Sequence, residues 1–221
     1  MQSFKQYLNE GVNDPAIFKA VFLAGGPGSG KSFIVGKTAL IPMGFKLINP
    51  DPAFEAALKK AGLTMDPSDI ASDAGQKVRA TAKALTDKQM KFAIDGRLGL
   101  VVDGTGKDYD KIANQANELK KLGYDVAMIF VNTDLETALK RNQQRARSLP
   151  DAMVEKMWKD VQKNIGKFHN LFGSMMTVVD NSDGSNYEGA TMSAYKRISK
   201  WIKVKPSKPA AKAWMKSQKS S

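Results

Sequence analysis

At 221 residues and 42% hydrophobic content, the chain is long enough for one well-buried α/β domain and too short for two of ordinary size. The lack of cysteine excludes disulfides, thiolate metal sites and a cysteine nucleophile, and a single histidine argues against a histidine-rich metal centre. The net charge of +12 belongs mostly to a tail: nine of the 34 basic residues (Lys196, Arg197, Lys200, Lys203, Lys205, Lys208, Lys212, Lys216, Lys219) and no acidic residue lie from Lys196 onward, which leaves Met1 to Tyr195 at +3.

Residues 1–15 read as a polar leader in which Phe4, Tyr7 and Leu8 allow an amphipathic turn or two. The opening MQSFKQYLNEG lacks the apolar core of a signal peptide and no apolar run approaches 18 residues, so a soluble cytoplasmic protein is expected. A single domain is expected over 16–203, with a basic, largely disordered tail over 204–221, where Lys, Ser, Pro and Ala dominate.

The apolar run Ala20 to Ala24 predicts a strand, Phe33 to Leu40 is helix-compatible, and between them stands GGPGSGKS, Gly25 to Ser32. That is the pattern of a P-loop rather than of a plain glycine-rich turn. Glycines keep side chains away so that backbone N–H groups at Gly26, Pro27-flanked Gly28, Ser29 and Gly30 can wrap a phosphate chain. Lys31 supplies a point charge, the Ser32 hydroxyl a ligand for Mg²⁺, and the helix N-terminus its partial positive charge.

Phe45 to Ile48 predicts a second strand running into Asn49-Pro50-Asp51-Pro52, a turn stiffened by two prolines in which Asn49 bonds locally. Asp51 is expected to cap a helix over Ala53 to Ala61, ended by Gly62, and a further helical region spans Asp69 to about Gly96. Leu98 to Val102 is a strand buried on both faces and ends at Asp103-Gly104-Thr105-Gly106. Tyr109 to Leu122 is an amphipathic helix, Val126 to Val131 a strand, and Asp134 caps a helix through Arg147 that Pro150 breaks. A long helix over Ala152 to Phe172, a strand over Met176 to Val179 and a helix from Gly189 to about Lys203 complete the chain. Alternating strands and helices predict an α/β fold, a mainly parallel five-stranded sheet with helices on both faces.

Ligands of such sheets lie beyond the carboxyl ends of the strands, which selects Asp51, Asp103, Thr105 and Lys107. A kinase that moves a phosphoryl group to a hydroxyl needs a carboxylate for the hydroxyl proton and an acidic group near Mg²⁺. Asp51 is assigned as the base, against the alternative that it only caps its helix, and Asp103 as the Walker-B-like metal residue with Ser32. Arg141 and Arg145 share a helical face, with Arg147 near the helix end. They form either a solvated basic face or, as favoured behind a P-loop, a lid at about 134–150 whose guanidinium groups meet the transition-state charge. His169, Trp158, Phe168 and Leu171 read as structural. The reading is a P-loop phosphotransferase using a nucleoside triphosphate and Mg²⁺. Its alternatives are an ATP-binding or ATPase regulatory module and a nucleic-acid-binding protein acting through its basic tail, with Trp201 and Trp214 stacking on unpaired bases.

GGPGSGKS, INPDPAF, VVDGTG and RNQQRARSLPDAMVEKMW, in this order and spacing, resemble the zeta-toxin and polynucleotide-kinase-like group of P-loop kinases over roughly Phe18 to Asp180. The resemblance implies a kinase fold and ATP as donor. It also implies Asp51 as catalytic base, a substrate pocket lined by the Thr105 segment, phosphate-clamping arginines among Arg141, Arg145 and Arg147, and an antitoxin-like partner. Zeta toxins typically carry Glu where Asp103 stands, and their acidic substrate contact on the preceding helix has only Asp87 as a loose counterpart. The leader is similar to openings common among proteins of large tailed phages, which implies a host cytoplasm.

Overall fold

The computed structural model describes residues 10–144 and 148–219. Among these residues five strands, β1 Lys19–Ala24, β2 Lys46–Ile48, β3 Leu100–Asp103, β4 Asp125–Asn132 and β5 Met176–Asp180, form one parallel sheet in the order β2-β3-β1-β4-β5. The ten helices that matter here are α1 Lys31–Lys37, α2 Asp51–Lys60, α3 Pro67–Ala71, α4 Asp73–Asp95, α5 Tyr109–Lys121, α6 Leu135–Gln143, α7 Asp151–Gln162, α8 Ile165–Phe172, α9 Tyr187–Ile202 and α10 Pro209–Lys219. None of the described helices is long and apolar enough to cross a membrane.

The continuous apolar strands follow from burial on both faces of a central sheet. Successive side chains alternate, so Ala20, Phe22 and Ala24 join Leu100, Val102, Met128 and Phe130 in one core layer. Val21 and Leu23 join Val101, Ile129 and Val131 in the other. Helices α5 and α8 contribute to the first layer through Ile112, Leu119 and Phe168, while α1 and α9 close the second through Ile34, Ala194 and Ile198. A third, smaller cluster of Phe54, Leu58, Ile70 and Ala82 ties α2, α3 and α4 into a helical unit beside the sheet.

Three elements depart from the sequence expectation for local reasons. The region from Asp69 is two helices, because Ser72 turns extended (φ −63°, ψ 157°) and its hydroxyl accepts from the Gly75 N–H at 3.1 Å. The long helix from Ala152 is also two, with Asn164 between them donating its amide to the carbonyls of Gly106 and Lys107 at 3.0 Å each. Asp51 lies inside the first turn of α2 rather than capping it: Pro50 holds the cap position, no side chain caps the helix, and Asn49 accepts the Asp51 N–H at 2.8 Å in the turn before it.

The tail differs most from expectation, since Pro209–Lys219 is helical rather than disordered. Glycine at 123 (φ 100°) makes room for it, as a Cβ there would lie 2.7 Å from the Ala211 nitrogen. Ala211 is fully buried, and Trp214 packs edge-on against Phe18 at 5.5 Å with the Arg97 guanidinium 5.7 Å from its ring. Phe18 and Arg97 both hold positive φ (57° and 56°) where the chain enters β1 and β3, so the tail helix braces two bent approaches to the sheet. Buried Lys19 bonds Asp125 at 2.7 Å beneath Trp201, whose ring centroid lies 5.1 Å from the ammonium, and Lys208 reaches Asp125 at 3.2 Å. Burial pushes the Asp125 carboxyl up, but its bonds to Lys19 and Lys208 outweigh that and hold it below the ordinary value. Both tryptophans are thus committed to the fold, at the amino ends of the strands. Trp214→Ala should lower stability by about 3 kcal/mol in chemical denaturation, the cost of truncating a packed aromatic, whereas a loose tail would leave the midpoint unchanged.

Candidate active site

The site is built where β1 ends and the chain first leaves the sheet. Neighbours of β1 are β3 on one side and β4 on the other, so connections diverge there and open a crevice at the strand ends. Gly25 to Ser32 occupies that crevice. Gly28 and Gly30 hold φ of 75° and 81°, a region that favours glycine, and a Cβ at Gly30 would sit 2.4 Å from the Asn181 amide nitrogen. The Gly25 N–H donates to the Thr105 carbonyl at 3.0 Å, and Lys31 Nζ donates to the Gly25 carbonyl at 2.7 Å. Asn181, buried beside the loop, donates Nδ2 to the Ser29 carbonyl at 2.8 Å. No side chain caps α1. Its first N–H groups have no intrahelical acceptor, an arrangement suited to an anion.

Asp103 ends β3. Its Oδ2 accepts from Asn49 Nδ2 at 3.0 Å, while its Oδ1 is buried without a hydrogen-bond partner. Burial pushes the carboxyl up from its ordinary value; the Lys31 charge opposes this and the Asp51 charge adds to it. An acceptor oxygen buried with no donor is costly in isolation and is what a hard cation would satisfy. No cluster of three or more His, Cys, Asp or Glu exists among the described residues, so a cage made of protein carboxylates does not fit. The unpartnered oxygen of Asp103 fits a single protein ligand of a hard cation such as Mg²⁺ whose other ligands are phosphate oxygens and water.

A cavity of about 940 Å³ opens beside these groups, between β3 and the helical unit of α2, α3 and α4. It brings together Asp51, Asp103, Thr105 and Lys107, the residues selected from the strand ends, and also receives Asp87 of α4. Asp51 is exposed at the start of α2. The cations Arg79, Lys83 and Lys111 also line the cavity. Their sequence signal was slight, because lysines and arginines on amphipathic helices usually face solvent. Asp87 pairs with Lys83 at 3.0 Å, an exposed i,i+4 contact on α4.

Arg141 is the expected lid residue that the structure places against the P-loop. Its Nη1 donates to the Asn181 carbonyl at 2.8 Å and its Nη2 to Asp183 at 2.9 Å, and Nη1 lies 3.9 Å from the position of a Cβ on Gly30. Lys140 shares the same carboxylate at 2.8 Å. The Lys140 bond first, and the Arg141 bond after it, hold Asp183 below its ordinary value. Arg145 and Arg147 lie outside the described residues. Asn142 exchanges two bonds with Leu149, at 2.7 and 3.0 Å. His169 is exposed on α8, Phe168 is in the core and Trp158 donates to the Thr133 carbonyl at 2.7 Å. Sequence reasoning missed Asn181 altogether, since 152 residues separate it from the Ser29 carbonyl that it holds.

The family model described as Zeta toxin matches residues 9–190. No curated protein matches the chain in sequence. Among solved structures the chain is similar to a candidate kinase from Chloroflexus aurantiacus J-10-fl (TM-score 0.53, 12% identity, 80% of this chain and 97% of that one). It is also similar to the PezAT chromosomal toxin-antitoxin system of Streptococcus pneumoniae (TM-score 0.52, 16% identity, 80% and 76%) and to AvrRxo1-ORF1:-ORF2 with ATP (TM-score 0.52, 19% identity, 80% and 61%). At these identities the likeness shows the fold, that of P-loop kinases.

Gly30→Ala would force a methyl group into Asn181 at a strained φ, and should remove the thermal stabilisation by ATP, about 2.7 kcal/mol at 100 times its Kd in the intact protein. Gly36→Ala, on α1 with nothing within 4 Å, should leave the ATP-induced shift unchanged, and equal shifts in both variants would contradict the loop geometry.

Proposed function

Because the chain belongs to the zeta-toxin family, we propose that it is a phosphotransferase moving the γ-phosphoryl group of Mg-ATP to a hydroxyl of a nucleotide, sugar-nucleotide or polynucleotide acceptor. The observation that carries the reading is that Asp51 and Asp103 line one cavity with Thr105, whose carbonyl accepts the N–H of Gly25 at the start of the P-loop at 3.0 Å. Lys31 and the α1 N-terminus hold the β- and γ-phosphates. Ser32 and Asp103 hold Mg²⁺, which when bound neutralises charge on the phosphate oxygens. Asp51 accepts the proton of the acceptor hydroxyl as its oxygen bonds to the γ-phosphorus, and the bridging oxygen leaves with ADP. Arg141, with Arg145 and Arg147, meets charge on the transferring group, which requires Arg141 to exchange Asp183 for phosphate.

Arg79, Lys83, Lys107 and Lys111 favour an acceptor that is itself anionic, and Phe54, Met65, Ile70 and Met90 give the same cavity an apolar wall for a planar or sugar moiety. An ATPase that transfers nothing would have no use for such a cavity beside Asp51. The fold shared with a toxin-antitoxin system supports an antitoxin-like protein partner, and ATP as donor supports action in a cytoplasm, the host's if the protein is phage-encoded. With Trp201 and Trp214 packed, the tail retains only its lysines for nucleic acid, through phosphates and without base stacking.

Incubation with γ-labelled ATP and separate pools of sugar nucleotides and 5′-hydroxyl oligonucleotides tests the proposal. Label is expected on an anionic acceptor, and Arg141→Ala should slow transfer about 10³-fold, the lower end for a transition-state arginine. Release of labelled inorganic phosphate alone would contradict it.

A further inference from the structure

Asn49 stands between the two carboxylates that the kinase reading uses. In the parallel register Ile48 pairs with Val102, so the next residue of each strand, Asn49 and Asp103, arrive side by side at the carboxyl edge of the sheet. Pro50 restricts Asn49 to extended backbone, and Pro52 lies in the first turn of α2, so the turn has little freedom of its own. The Asn49 amide then makes two bonds in opposite senses: Oδ1 accepts the Asp51 N–H at 2.8 Å, and Nδ2 donates to Asp103 Oδ2 at 3.0 Å. Its orientation is fixed by its neighbours, because a backbone N–H can only donate and an ionised carboxylate can only accept.

We propose that Asn49 is a positioning residue that couples cation binding to base placement, holding one oxygen of Asp103 while the other, buried, is left without a donor, and pinning the turn that carries Asp51. The inference rests on the kinase reading of the same site. It explains why the Asp103 oxygen opposite the Asn49 bond is the buried one without a partner. Aspartate at 49 would keep the turn, since its carboxylate also accepts the Asp51 N–H, but would set an acceptor against Asp103 in place of a donor. Alanine would lose both bonds.

The test is calorimetric binding of a non-hydrolysable ATP analogue, with and without Mg²⁺, to the full chain and to its Asn49→Asp and Asn49→Ala variants, with unliganded melting recorded alongside. The wild type should bind more tightly with Mg²⁺. In Asn49→Asp the metal-free affinity should stay within about twofold while the gain from Mg²⁺ falls by about 10-fold or more, the usual effect of removing a group that orients a metal ligand. Asn49→Ala should lose that gain as well. Unchanged gain in both variants would overturn the inference alone. So would a parallel loss of metal-free affinity and melting temperature, the mark of a merely structural asparagine. A wild type that gains nothing from Mg²⁺ would overturn the inference and the cation site together.

Discussion

The site depends on the parallel pairing of β3 with both β1 and β2. Leu23 lies opposite Asp103 on one side, and Val102 opposite Ile48 on the other, so three strand ends reach one level. That level gathers the P-loop, the Asn49-to-Pro52 turn and Asp103 from positions far apart in the chain. Slipping one strand by a single residue would turn every side chain on it to the opposite face and send Asp103 into a core layer. The apolar layers on the two faces make such a slip costly, so the packing of Phe22, Val102 and Phe130 fixes the chemistry as much as the polar residues do.

The crevice also stores unfavourable electrostatics. Asp103 is half-buried and one of its oxygens is unpartnered; Asp51 adds negative charge nearby and Lys31 partly offsets both. Such an arrangement costs stability in the unliganded protein, and under the proposed function a cation and phosphates would relieve it and become part of the polar network. On the other flank Arg141 is held by Asp183 and the Asn181 carbonyl while Asn181 also braces Ser29, so the loop and the lid arginine share a support. In the proposed transfer, exchange of Asp183 for phosphate would keep that guanidinium paired throughout.

What could be read in the sequence was local or periodic. The five strands, the P-loop and the strand-end carboxylates follow from apolar runs bounded by glycine, proline and aspartate, and the structure places each near where its pattern indicated. Long-range amide contacts were invisible. Asn49 meets Asp103 across 54 residues, and nothing in Ile-Asn-Pro-Asp distinguishes that bond from a turn satisfied within itself. The tail was misread because its composition is that of disordered segments, while its order depends on Trp214 and Ala211 finding Phe18, Arg97 and Gly123. The division of α4 from α3 turns on Ser72, whose extended backbone is stabilised by a hydroxyl cap that periodicity does not register.

The central claim is that Asp51 serves the acceptor and the P-loop serves the nucleotide, as separate parts of one site. Paired measurement of ATP affinity and phosphoryl transfer in Asp51→Asn tests it most directly. The account predicts unchanged ATP affinity and transfer slowed by roughly 10² to 10⁴, the usual worth of a positioned general base. Transfer at the wild-type rate, or a loss of ATP affinity that accounts for the whole defect, would contradict it.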